Sequence, residues 1–280
     1  MPVLERVLTT NSPAARVSVL PGDGTDVSYS FVFVTFGTGA IVVDAIESVV
    51  RSMDASAATY EIVVVDNPHP EAPGTSRREL ALSTRGVRVL VATHNLGFAG
   101  GCELGALHAR GRYLVFLNPD VVVPDGWLEP LVSSVDAGAS IAAPMLVHPG
   151  GRVQEVGARL DAGGGTHPWL DPAAVASGAA VPDYASAACW VMARDEHERL
   201  GGFDAGYFPA FYEDVDLALR AGASGGRIEI VSDVAVTHHR GSGSRRSNGP
   251  PDTSDQRDRL LATHPSIRWT RERRSSTNDW

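Results

Sequence analysis

Tyr60-Glu-Ile-Val-Val-Val65, closed by Asp66-Asn67, is the stretch from which the fold is read. Its β-branched run lacks the polar alternation of a half-exposed strand, so it predicts a strand buried on both faces. The pattern recurs on either side. Tyr29-Ser-Phe-Val-Phe-Val-Thr35, Val87-Arg-Val-Leu-Val91 and Tyr113-Leu-Val-Phe-Leu117 predict further buried strands. Ile41–Met53, Ser76–Thr84 and Gly97–Arg110 predict the helices between them, and Asp125 caps another that runs to about Val135. Short apolar strands alternating with helices predict βαβ units, an α/β class and a mostly parallel, Rossmann-like sheet.

Beyond Pro144 the pattern changes. Gly150–Gly157 suggests a hairpin-type insertion, residues 163–182 a flexible loop, and Tyr184–Ala193 an apolar strand. A short helix is expected at Glu196–Leu200, another helix from Glu213, and two short strands at Arg227–Val231 and Ala235–His238. Residues 1–28 form a weakly patterned extension with a short strand at Arg16–Leu20. From 244 to 280 the chain is a flexible tail, mostly disordered, with a short helix near Gln256–Ala262.

Composition excludes several classes. The net charge is -9, which argues against a nucleic-acid footprint over the whole surface; every lysine-or-arginine position is arginine. Cys102 and Cys189 lie in apolar surroundings without metal-like spacing, which points to a reducing compartment. No apolar run approaches the ~20 residues of a membrane span, and no signal-peptide pattern opens the chain. The expectation is a cytoplasmic protein, in peripheral contact with the inner membrane face if its acceptor is lipid-linked.

In an open parallel sheet, ligands bind outside the carboxyl ends of the strands. Thr35-Phe36, Asp66-Asn67 and Asn118-Pro-Asp120 fall at such ends. Asp66 is suited to accept hydrogen bonds from a base or ribose, or simply to form an Asx turn. Asp120 is suited to a hard divalent cation, or to a turn. Asn95-Leu-Gly-Phe-Ala-Gly-Gly101 gives a helix a glycine-rich start, which favours close backbone approach and anions. It matches neither the dinucleotide fingerprint nor a Walker A loop. Phe211-Tyr-Glu-Asp-Val-Asp216 places Glu213, Asp214 and Asp216 on one helical turn. Such a cluster either complements the helix dipole or presents a general base. His238-His239 ends the last strand and offers either an imidazole ligand or a structural pair.

Taken in order, Val34-Thr-Phe36, Asp66-Asn67, Asn95–Gly101, Asn118-Pro-Asp120, Gly201-Gly-Phe-Asp204, Glu213-Asp-Val-Asp216 and His238-His239 resemble the family 2 glycosyltransferases of bacterial surface polysaccharide synthesis, especially rhamnosyltransferase-like members. The resemblance covers about Ser30 to Gly243. It implies a GT-A fold over residues 29–243, with a nucleotide-binding half at about 29–143 and a small antiparallel acceptor-side half at about 144–243. It also implies inverting transfer from a dTDP- or UDP-sugar to a glycan or lipid-linked acceptor, with Mg²⁺ or Mn²⁺. Thr35, Phe36, Asp66, Asn67, Asn95, Gly97, Phe98, Asn118 and Asp120 would bind the donor, and Asp120 and His238 the metal. Asp214 would be the base, with Glu213 and Asp216 orienting it or the acceptor, and Trp190 and Tyr212 on the acceptor side. Two departures stand out: Asn118 opens the metal-binding element where an aspartate is usual, and Pro68-His69-Pro70 replaces the usual Ser and second Asp. A non-catalytic GT-A module binding a sugar nucleotide or glycan is the alternative. A sugar nucleotidyltransferase would carry an arginine-containing glycine-rich signature after the first strand, and Gly37-Thr-Gly39 has no arginine.

Overall fold

Parallel pairing of the buried strands fixes the centre of the molecule. The computed structural model describes residues 4–7, 27–54, 56–72, 74, 87–239 and 252–267. Strand β1 (Leu4–Val7) lines the outer edge of a sheet whose centre is β2 (Tyr29–Phe36), β3 (Tyr60–Asn67), β4 (Val87–Val91) and β5 (Tyr113–Leu117). These four pair in parallel in the order β4-β3-β2-β5, with β1 antiparallel to β4. Alternate residues of β2 enter different cores. Phe31 and Phe33 pack on the side of α1 (Ile41–Met53) and α3 (Leu128–Asp136), and Val32 and Val34 on the side of α2 (Gly97–His108). Two glycines let α2 lie close to the sheet. A Cβ on Gly101 would sit 2.6 Å from Val34 Cγ1, and one on Gly105 would strike Val32 Cγ1.

The second half adds β6 (Val121–Val122), β7 (Ile141–Val147), β8 (Val153–Glu155), β9 (Ala158–Leu160), β10 (Thr166–Pro168), α4 (Pro172–Ala176), β11 (Cys189–Ala193), α5 (Arg194–Leu200), α6 (Glu213–Ala223), β12 (Ile228–His238) and α7 (Ser254–Thr263). The sheet continues β5-β11-β7-β12-β6. Strand β11 runs antiparallel to β5 and β7, whereas β12 runs parallel to β7 and antiparallel to β6. Four strand spacings separate β5 from β6 along that path, about 19 Å if flat. The chain from Leu117 to Val121 reaches at most about 14 Å. The sheet therefore curls and carries its far edge back toward the end of β5.

Several expectations need correction. Helix α3 begins at Leu128 with Trp127 at its N-cap, so Asp125 does not cap it. Helix α2 ends at His108, short of Arg110. The two short strands after residue 227 are one strand, β12, irregular between Val231 and Ala235. The loop expected at 163–182 contains β10, paired with β9, and α4, whose N-cap Asp171 accepts from the backbone of Ala173 and Ala174. In the tail, α7 is docked: Leu260 is fully buried and Gln256 Nε2 donates to the Phe208 carbonyl at 2.9 Å. The strand expected at Arg16–Leu20 and the helix expected at Ser76–Thr84 lie outside the described residues. Among the described residues no helix is long and apolar enough to cross a membrane.

The seating of α2 is open to test. Gly105→Ala forces a methyl into Val32 and is expected to cost about 1–3 kcal/mol. Gly222→Ala, in α6 with nothing within 4 Å of its added Cβ, is expected to be neutral or stabilising by up to about 1 kcal/mol. Urea unfolding midpoints of the two variants check the contrast.

Candidate active site

The carboxyl ends of β2 and β3 form the first part of the site. Thr35 Oγ1 donates to Asp66 Oδ1 at 2.9 Å, and both residues are buried. The threonine thus fixes the carboxylate at the rim. Phe36 is partly exposed, and its ring lies 4.5 Å from the His69 imidazole, centroid to centroid. Between them Gly37 has φ +63°, and a Cβ there would lie 2.8 Å from His69 Cγ. The Pro68-His69-Pro70 departure thus folds back over the end of the first buried strand. His69 becomes part of the lip there, a role that its flanking prolines did not reveal.

Asn67 spends its amide on the neighbouring loop: Oδ1 accepts from Leu96 N at 2.9 Å and Nδ2 donates to the Gly97 carbonyl at 3.2 Å. Asn95 Oδ1 accepts from Gly97 N at 2.9 Å. Both asparagines therefore shape the entry to α2. Gly97 has φ +72°, and a Cβ on it would lie 2.6 Å from the Pro209 carbonyl oxygen. That same carbonyl accepts from Phe98 N at 2.8 Å. Phe98 remains partly exposed, its ring edge-on to Phe203 at 6.3 Å. The glycine-rich loop is thereby pinned to the segment that leads into α6.

Asn118, Asp120 and His238 come together across the curl. Asp120 Oδ1 lies 3.3 Å from His238 Nε2, and Asn118 Nδ2 lies 3.5 Å from the same nitrogen. His238 Nδ1 faces Gln154 Oε1 at 2.7 Å. Two ligands each about 2.1 Å from a shared ion lie roughly 3.0–3.4 Å apart, so a carboxylate oxygen and a ring nitrogen at this separation fit a divalent cation. The donor set is sparse, however. Among the described residues no group of three or more His, Cys, Asp or Glu converges, and an ion here would need oxygens from a ligand or water.

Asp214 meets the same rim from the other side. Its Oδ1 accepts from Val215 N at 2.8 Å and its Oδ2 from Ala187 N at 3.3 Å, while the side chain stays partly exposed. Next along, Ala188 O accepts from Asn118 N at 2.9 Å. A short path therefore links Asp214 to the end of β5 and so to Asp120. From Asp66 on β3 through β2 and β5 to β11 there are three strand spacings, about 14 Å in all. Burial pushes the Asp214 carboxyl up to about 6 against the pull of its backbone hydrogen bonds. Glu213 is pushed well above the ordinary range by burial and by the charge of Asp214. Among the described residues its Oε2 has no hydrogen-bond partner. Phe211 and Tyr212, just before the helix, both have positive φ, 79° and 71°. Such values are costly for bulky residues and tend to gather at functional sites.

Three expected residues take other positions. Asp216 is buried away from the rim, because residues two apart on a helix do not share a face. Its carboxylate is held by Arg220 Nε at 2.8 Å, His264 Nε2 at 2.7 Å and Tyr207 OH at 3.3 Å. Burial raises its pKa, but the hydrogen bond from His264 and the Arg220 guanidinium outweigh burial and hold it below 3.8. Trp190 is fully enclosed and stacks on Phe203 at 5.6 Å, so its ring offers no face to an acceptor. Tyr212 is buried, with its OH donating to the Gly164 carbonyl at 2.9 Å.

A family model described as glycosyl transferase family 2 matches residues 30–175, more than half of the chain. The chain belongs to glycosyl transferase family 2. This family 2 chain is 29% identical over 206 residues to the O-antigen biosynthesis protein RfbC of Myxococcus xanthus, covering 69% of the chain and 16% of that protein. The chain thus spans about a sixth of that relative's length. Among solved structures it resembles GalNAc-T7 with UDP, GalNAc and Mn²⁺, at a TM-score of 0.65 and 17% identity over 84% of this chain and 48% of that one. It also resembles the mannosyltransferase PcManGT from Pyrobaculum calidifontis, in complex with GDP-Man and Mn²⁺, at 0.55 and 18% over 81% and 63%. These likenesses show the fold, which is the expected GT-A architecture.

The carboxylate of Asp216 is open to test through the pH dependence of stability. Its folded pKa lies below the unfolded value, so the stability it contributes is present above the unfolded pKa and is lost as pH falls through the folded one. Asp216→Asn is expected to cost about 1–3 kcal/mol at pH 7. The deficit should shrink as pH drops below 3.8, the ordinary aspartate value. Urea titrations of both proteins at pH 7, 5 and 3 measure it; a deficit constant across that range contradicts the assignment.

Proposed function

We propose that the rim transfers a sugar, with inversion, from a nucleoside-diphosphate donor to a hydroxyl of a glycan or lipid-linked acceptor. The observation that carries the reading is the convergence of Asp120–His238 and Asp214 on adjoining strand ends, joined through Asn118, Ala188 and Ala187. The rim from Asp66 to Asp214 is long enough for an extended donor. Asp66, held by Thr35, receives the base or ribose, and Phe36 and Phe98 line the nucleotide side. Rhamnose from a dTDP donor is the first candidate sugar, with UDP-sugars next. The chain's similarity to an O-antigen biosynthesis protein supports a surface-glycan acceptor. The setting is cytoplasmic, with peripheral contact at the inner membrane face for a lipid-linked acceptor.

The residues that would hold the cation are Asp120 and His238, with Asn118 beside them. Mg²⁺ or Mn²⁺ held there would supply Lewis-acid stabilisation for the charge of a leaving diphosphate. The solved relatives that hold Mn²⁺ with a nucleotide or nucleotide sugar support this.

Asp214 takes the proton from the acceptor hydroxyl, a contribution of about 10²–10⁴-fold in rate. Two backbone N–H groups aim its carboxylate, and burial raises its proton affinity into a useful range. Glu213, buried behind it, favours the neutral form and spares Asp214 a second charge. The single inverting displacement needs no enzyme nucleophile, in keeping with Cys102 and Cys189, both buried with thiols pushed up by burial.

Asp214→Asn is expected to reduce transfer at least a hundredfold while preserving donor binding, read by product formation and by calorimetry. A base must be ionised, so in wild type the rate should fall about tenfold per pH unit below about pH 6. Full turnover at pH 4.5 would remove Asp214 as the base. A thermal-shift screen of dTDP-, UDP- and GDP-sugars with and without Mn²⁺ identifies the donor through its rise in melting temperature. In Asp120→Ala the Mn²⁺-dependent part of that rise is expected to vanish.

A further inference from the structure

The side chains behind His238 carry an inference that deepens the proposed metal reading and rests on it only in its second half. Gln154 on β8 is buried, and its side chain touches three groups. Nε2 lies 3.4 Å from the backbone carbonyl of His238 and 3.2 Å from His148 Nδ1, and Oε1 lies 2.7 Å from His238 Nδ1. A carbonyl oxygen only accepts, so the Gln154 atom facing it is the amide nitrogen. Its other proton goes to His148 Nδ1. The oxygen is then what His238 Nδ1 meets, and at 2.7 Å from an acceptor that nitrogen must carry a proton. In the neutral ring Nε2 is left with its lone pair, directed at the space it shares with Asp120 Oδ1 at 3.3 Å.

We propose that Gln154, oriented by His148 and by the backbone of His238, is a positioning residue that sets the His238 tautomer and aims Nε2 as a ligand toward Asp120. Each part of the arrangement has a local cause. His148 sits on the tight turn between β7 and β8, where its backbone N–H donates to Arg152 O at 2.8 Å and its carbonyl accepts from Gly151 N at 2.9 Å. Strand β8 pairs with the end of β7, and β7 pairs in parallel with β12, so the turn places Gln154 beside the last residue of β12. Asn118 Nδ2, 3.5 Å from Nε2, holds the ring only weakly from the front. The restraint from Gln154 therefore decides the ring's orientation. Histidines that bind metals commonly donate their other N–H to such an acceptor, and removing it lowers metal affinity about 10–100-fold.

The test has two arms. In metal-free protein labelled with ¹⁵N-histidine, at a pH where the rings are neutral, long-range ¹H–¹⁵N correlation reports which nitrogen of His238 is protonated. Wild type is expected to show the Nδ1–H form. Gln154→Glu, which keeps an acceptor, should preserve it, and Gln154→Leu should shift the ring to the Nε2–H form. A wild-type ring protonated on Nε2, or an unchanged tautomer in a folded Gln154→Leu variant, overturns the inference. The second arm is calorimetric titration with Mn²⁺ alone. Gln154→Leu should bind about 10–100-fold more weakly than wild type, and Gln154→Glu at least as well as wild type. Measurable Mn²⁺ binding that is equally tight in wild type and Gln154→Leu also overturns it. A tautomer that shifts in Gln154→Leu, with no Mn²⁺ affinity in either protein, would sink the metal reading and leave the tautomer assignment standing.

Discussion

Between Leu117 and Val121 the chain has three residues in which to leave β5 and pair with the far edge of the same sheet, and that shortage of length shapes the site. Three residues cannot cross a flat array of five strands, so the array bends around them. The bend is what brings His238, at the end of β12, within reach of Asp120. It also leaves Asp120 held from its main chain, since His239 N donates to its carbonyl at 2.9 Å. A longer link would relax the curl and separate the two candidate ligands, although neither residue had changed.

The acidic turn shows how one dense motif divides into separate roles. Successive helical residues are rotated by about 100°, so Glu213, Asp214 and Asp216 cannot share one environment. Asp214 faces the rim, Glu213 is buried behind it, and Asp216 anchors the opposite side through Arg220 and His264. The anchor matters for the position of the base. Arg220 also donates to the carbonyls of Leu200 and Gly202, joining α6 to the turn after α5. Asp216 therefore belongs to the support of the site, although composition alone makes it indistinguishable from Asp214.

The parts of this molecule that the sequence reveals are those where neighbouring residues determine the outcome. Ile41–Met53, Val87–Val91 and Tyr113–Leu117 have the boundaries their apolar patterns indicate, because local periodicity and core burial agree there. Polar residues ending buried strands likewise mark the rim. The remainder depends on partners distant in sequence. Trp190 is as apolar in a cleft as in a core, and only the Phe203 ring packed on it decides between them. Helix α7 has little amphipathic character of its own; it docks through single contacts, Arg259 to Asp204 at 2.6 Å and His264 to Asp216 at 2.7 Å, around one buried leucine. No local pattern encodes such contacts. Gln154 and His148 carry no local signal for the same reason, since neither belongs to a motif and their placement follows from the pairing of β8 with β7.

The docked tail also bears on how the site holds its shape. Phe211 and Tyr212 sit in left-handed backbone that costs each of them on the order of 1 kcal/mol or more. That conformation persists only if the surroundings favour it over relaxed alternatives. The segment before it is fastened from both ends. Phe98 N holds the Pro209 carbonyl from α2, Gln256 holds the Phe208 carbonyl from α7, and the Tyr212 hydroxyl is tied to Gly164. Helix α7 therefore acts on the candidate base indirectly: it keeps the 208–212 turn strained, and the turn sets the angle at which α6 presents Asp214 to the rim.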